Sequence, residues 1–139
     1  MFSARLISAT ALLAAGLWLG AAPTQADDAE PTLAVEILFQ QALGNLGERE
    51  LLVLEVTVAP SGNFDPHFHP GPTFLYVLDG AVELSVDDEP VETYRAGDWF
   101  YEPPMSLHAT TRNPSDATPA RLVAFMIMES GEPATQMEP

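Results

Sequence analysis

The chain has 139 residues, no cysteine, no lysine and a formal net charge of −15 at pH 7. The length suits one domain, and the acidity repels phosphate backbones and anionic headgroups, so nucleic acid is excluded as a natural partner and anionic substrates gain no long-range steering. The lack of cysteine excludes disulfides, thiol nucleophiles and cysteine-held zinc or iron–sulfur sites.

Arg5 is the only charge before Asp27, and an apolar run rich in small residues lies between them. It closes on Thr24-Gln25-Ala26 and is followed at once by Asp27-Asp28. A short positive start, an apolar middle and a small-residue exit are the layout of a secretory signal peptide. Residues 1–26 are therefore expected to be cleaved, leaving a domain at 27–139. The alternative is an uncleaved anchor, because residues 6–26 carry no charge and just reach spanning length. The first reading makes the mature protein periplasmic or secreted, with no stable membrane association.

The rest of the chain reads as strands. Leu33 to Phe39 is rich in β-branched and aromatic residues and follows Pro31. Its length also permits a helix, but its composition favours a strand. Gly44-Asn45 and Gly47 mark a loop, and Glu50 to Val58 is a second apolar strand stopped by Pro60-Ser61-Gly62. Thr73 to Leu78 and Ala81 to Val86 flank Asp79-Gly80, a hairpin signal, since that tight turn needs positive φ. Short strands are expected at Val91 to Tyr94, Trp99 to Tyr101 and Ser106 to Thr111, and a longer one at Arg121 to Met128. The tail from Glu129 is polar and expected to fray. No sustained helical period appears, and most of the thirteen prolines fall at inferred turns. The expectation is an all-β sandwich or barrel.

The chain has three histidines: His67, His69 and His108. Residues i and i+2 of a strand share a face, so His67 and His69 point the same way. A third imidazole from a neighbouring strand, His108, completes a set that suits Fe(II), Zn(II), Cu or Ni and leaves open positions. A His-x-His pair alone is often a surface accident. Here the frame around it is more specific.

Gly62, His67-Phe68-His69, Thr73 and Gly80 resemble the first cupin motif, Gly-x5-His-x-His-x3,4-Glu-x6-Gly. The first glycine is one residue closer, and Thr73 stands at the glutamate position. Gly97, Pro103, Met105, His108 and Asn113 resemble the second motif, Gly-x5-Pro-x-Gly-x2-His-x3-Asn. Met105 replaces its central glycine and Asn113 falls one residue late. The resemblance implies a double-stranded β-helix, or jelly-roll, barrel with His67, His69 and His108 holding one divalent metal in its mouth. Fe2+ is the first expectation, with Cu2+, Zn2+, Ni2+ or Mn2+ as alternatives. It does not supply a fourth ligand, because a neutral threonine hydroxyl binds divalent metal poorly. Thr73 is expected to face the cavity and bond a metal-bound water.

If Thr73 points inward, alternation brings Leu75 and Val77 with it. Ser106 and Thr110 should share the face of His108, and Phe125 or Met126 should line the barrel. Thr73, Tyr76 and Tyr101 are the candidate catalytic groups, the tyrosines as proton donors. Glu102 is a candidate base, with surface placement the simpler expectation. Two functions stay open. One is a metal-dependent enzyme acting on a small organic molecule, most naturally a dioxygenase-type oxidoreductase. The other is a non-enzymatic module that holds metal or a small ligand. Self-association as a homodimer is expected, because Leu33 to Phe39 reads as an apolar edge strand needing cover.

Overall fold

A computed structural model describes residues 32–137. The expected leader, residues 1–26, lies outside the described residues. Eleven strands form two antiparallel sheets, and the described residues hold no α-helix, only a 3-10 turn at Gly44–Leu46. One sheet has the order β1 (Leu33–Ala42), β2 (Arg49–Val58), β10 (Ala120–Glu129), β5 (Thr73–Asp79), β8 (Trp99–Glu102). The other has the order β11 (Gln136–Met137), β4 (His67–Phe68), β9 (Leu107–Arg112), β6 (Ala81–Val86), β7 (Glu92–Arg95), with β3 (Asn63–Phe64) also on β9. The inner faces of the two sheets close on each other as the jelly roll that the motifs imply.

Alternation builds the core. On β10, Ala120, Leu122, Ala124, Met126 and Met128 are buried, while the residues between them are more open. They pack with Leu52 and Leu54 of β2, Leu75 and Val77 of β5, and Val82 and Leu84 of β6. Full burial of each such Leu, Val or Met contributes roughly 1.5–3 kcal/mol. Met126, rather than Phe125, takes the inward position.

The Asp79-Gly80 turn forms, with Gly80 at φ 74°, but it is not a hairpin. β5 pairs with β10 and β8, while β6 pairs with β7 and β9, so the chain crosses between sheets there. Asp-Gly specifies a tight positive-φ turn. It does not specify the strand partners, which the packing of the barrel selects. The end of β5 meets the Gly97 turn instead: the Gly97 amide donates to Val77 O and the Val77 amide to Asp98 O.

Asn113 is buried and ties this end together. Its amide nitrogen reaches the carbonyls of Val58, Ala59 and Thr118, and its oxygen accepts from the Ser115 amide. The tail does not fray as expected. β11 pairs with β4, in the register Gln136 to Phe68 and Met137 to His67. Backbone pairing, not apolar content, holds it.

Candidate metal centre

His67 on β4 lies directly across from His108 on β9. His69 follows β4 by one residue and turns to the same interior. The three are 3%, 6% and 3% exposed, and ligand atoms of all three lie within 4.8 Å of one another. No other such group occurs among the described residues.

The backbone fixes two of the rings. His67 Nδ1 lies 2.8 Å from Asp65 O, and His69 Nδ1 lies 2.7 Å from Ala134 O. A carbonyl only accepts, so each Nδ1 carries the proton and each Nε2 presents a lone pair. Those two Nε2 atoms are 3.2 Å apart. Burial pushes the His67 pKa down to about 4, with the nearby His108 and His69 acting in the same direction. The Asp65 carbonyl and Glu102 oppose this without cancelling it. Two such lone pairs facing each other could share a cation between them. The 3.2 Å separation suits two nitrogens on one metal at roughly 2.0–2.1 Å each.

Glu102 brings a carboxylate to the same point. It ends β8 in the opposite sheet, and is 1% exposed. Its Oε1 is 3.1 Å from His108 Nδ1, and its Oε2 is 3.7 Å from His69 Nε2. The pair with His108 is close but misaligned: both carboxylate oxygens and His108 Nδ1 lack a hydrogen-bond partner. Buried polar atoms are seldom left so. His108 is held from its other side, where Thr111 Oγ1 lies 2.9 Å from Nε2. A divalent metal ion would satisfy the facing lone pairs of the histidines and the orphaned oxygens beside them, so the residues present fit such an ion.

The cluster opens onto a cavity of about 90 Å3, walled by Leu54, Leu75, Leu84, Met126 and Phe64 beside the histidines and Glu102. That is far below the roughly 300–1,000 Å3 of pockets for drug-sized ligands. It suits a compact molecule.

The other expectations divide. Thr73 is fully buried and points inward with Leu75 and Val77. Its hydroxyl, expected to serve a metal-bound water, donates to Gly71 O at 3.2 Å. Tyr76 and Tyr101 face away from the histidines. Tyr76 stacks on Trp99 and Tyr101 on Phe74, with centroids 4.7 and 5.0 Å apart, and Tyr101 is 49% exposed. Strand alternation requires this: once Thr73 and Glu102 point in, their neighbours on β5 and β8 point out. The same alternation corrects the surface placement expected for Glu102. Thr111, not Thr110, joins His108, because an irregularity pairs Ser85 with Thr110 but Val86 with His108. Ala109 is the extra residue, and a bulge shifts which side chains share a face.

Residues 54–128, more than half of the chain, match the family described as the cupin domain. The chain is a cupin. No curated protein matches this cupin. Solved structures with the same fold include an oxalate oxidase (22% identity, TM-score 0.61), covering 79% of this cupin and 57% of that chain. The DMSP lyase DddQ from Ruegeria pomeroyi DSS-3 is 19% identical with a TM-score of 0.62, over 76% of the cupin and 51% of that chain. The polyketide cyclase RemF from Streptomyces resistomycificus is 24% identical with a TM-score of 0.57, over 78% and 75%. The cupin thus spans little more than half the length of the oxalate oxidase and the lyase. These likenesses establish the fold.

Proposed function

We propose that this cupin holds one divalent metal ion, most naturally Fe(II), on His67, His69 and His108 and acts on a small organic molecule as a dioxygenase-type oxidoreductase. The supporting observation is the convergence of three buried imidazoles from two strands on one apolar cavity of about 90 Å3. Bound there, a redox metal supplies dioxygen activation. The chain supplies the rest. Asp65 O and Ala134 O fix the rings of His67 and His69. The apolar wall excludes water and admits a compact substrate.

Elemental analysis of native protein, with oxygen uptake on small diketones, thiols and enolisable acids, tests this reading. One equivalent of metal and metal-dependent uptake are expected, both lost in His67→Ala. Protein free of metal, with no change in His67→Ala, sinks it. The second reading, a binding module without turnover, has its own support: both tyrosines offered as proton donors face away from the cavity. Metal present without oxygen uptake selects it.

We propose as well that residues 1–26 direct export and are removed, placing the cupin in the periplasm or outside the cell. A second copy would cover β1, an edge strand that exposes Val35, Ile37, Leu38 and Phe39. Mass measurement of native protein tests both, with a chain starting at Asp27 and a two-chain particle in solution expected. A full-length chain or a monomer refutes the respective part.

A further inference from the structure

We propose that Glu102 is a fourth protein ligand to the metal, supplied from the sheet opposite the one that carries the histidines. The inference rests on the three-histidine reading above and extends it.

Three observations carry it. Glu102 is almost completely buried, yet neither carboxylate oxygen has a hydrogen-bond partner. An uncompensated buried carboxylate is costly, and evolution of a stable fold would ordinarily replace or pair it. Its two oxygens sit 3.1 and 3.7 Å from nitrogens of His108 and His69, and those nitrogens face inward. His108 Nδ1, the nearest, is itself orphaned. Orphaned atoms of both sheets thus face each other, Glu102 Oε1 and His108 Nδ1 3.1 Å apart, where a shared cation would satisfy both. The charge also fits: three neutral imidazoles leave a dication uncompensated in an apolar cavity, and one carboxylate halves its net charge.

Placement explains how the strand delivers it. Glu102 lies directly across from Thr73 in the β5–β8 ladder. Side chains of such a pair stand on the same face, with Cβ atoms roughly 4.5–5.5 Å apart. Thr73 is too short and too neutral to ligate, and its hydroxyl donates to Gly71 O. Its neighbour reaches the site in its place. A carboxylate moved between these two positions should therefore still reach the metal.

The test uses the full chain stripped of metal and titrated with zinc(II) by calorimetry and with cobalt(II), whose visible absorption reports its ligands. Wild type, Glu102→Gln, His67→Ala and the exchange Thr73→Glu/Glu102→Thr are compared. Glu102→Gln should weaken zinc binding by more than about 100-fold, beyond the 10–100-fold typical of losing an outer hydrogen-bond partner. It should also alter the cobalt spectrum and leave the metal-free melting temperature unchanged or raised. The exchange should restore affinity to within about tenfold of wild type. A smaller loss, or an unchanged cobalt spectrum, would make Glu102 a positioning residue and overturn the proposal, while lost binding in His67→Ala still upheld the histidines. Absence of binding in wild type would remove the three-histidine reading itself. If Glu102→Gln does not fold, Glu102→Asp decides alone: weakened zinc binding with an altered cobalt spectrum supports the fourth ligand, and wild-type affinity with an unchanged spectrum overturns it.

Discussion

The two stretches that form the mouth, residues 62–80 and 97–113, each depart from the cupin pattern at one notable residue, and the departures differ in kind. Thr73 is sealed inside β5. Met105 lies in a turn, 53% exposed, at φ 60° where the pattern has glycine. The first departure changes what the cavity contains and leaves the backbone in ordinary extended conformation. The second leaves the cavity alone and strains the backbone. A pattern position can thus be lost for chemistry or for geometry, and burial tells which.

The comparison can be broken most severely at Gly71. A Cβ there would run into the Ile127 carbonyl on β10. Gly71→Ala should destabilise the cupin by about 3 kcal/mol, the upper range for overpacking, as read by urea denaturation. A loss under about 1 kcal/mol would show that the first stretch yields as readily as a loop.

A second effect separates the stretches by pH. Burial holds the folded His67 imidazole down at about 4, against 6.5 for an exposed one. Between those values the unfolded chain binds the proton and the folded chain does not, so stability rises with pH. The contribution is complete above pH 6.5 and is lost as pH falls toward 4. Metal-free wild type should therefore lose stability more steeply over this window than His67→Asn. Parallel curves would contradict the burial that sets the shift.

The smallest effect belongs to the second stretch. The left-handed region costs a side chain roughly 1–2 kcal/mol, partly offset by the greater freedom of glycine when unfolded. Met105→Gly should stabilise by about 1 kcal/mol in the same denaturation assay, with metal affinity unchanged. A loss of stability would mean that the Met105 side chain packs more than its exposure suggests.

Much of this was legible in the residues. Strand composition, turn residues and the two histidine-bearing motifs predicted the barrel and the meeting of His67, His69 and His108, which the pairing of His67 with His108 across β4 and β9 brings about. What escaped depends on which strands meet. Asp79-Gly80 encodes a turn without naming partners, so its sheet crossing was not readable. The extra residue at Ala109 moved Thr111 into the place expected of Thr110, and no local signal announces a bulge. Glu102 looked like a surface acid because its neighbours Tyr101 and Pro103 gave no sign of which face it took. Once Thr73 is known to point inward, the register across β5 and β8 decides the question for Glu102, Tyr76 and Tyr101 together.

The atoms that aim His67 and His69 are main-chain oxygens, of Asp65 and Ala134. Replacing either side chain leaves the oxygen in place, so an alanine scan would pass over both positions in silence. The support of these imidazoles is written in the route of the polypeptide, not in residue identity. Sequence drift can therefore be wide at 65 and 134 while the rings keep their aim, and only changes that reroute the chain, such as an insertion or deletion beside either residue, would disturb them.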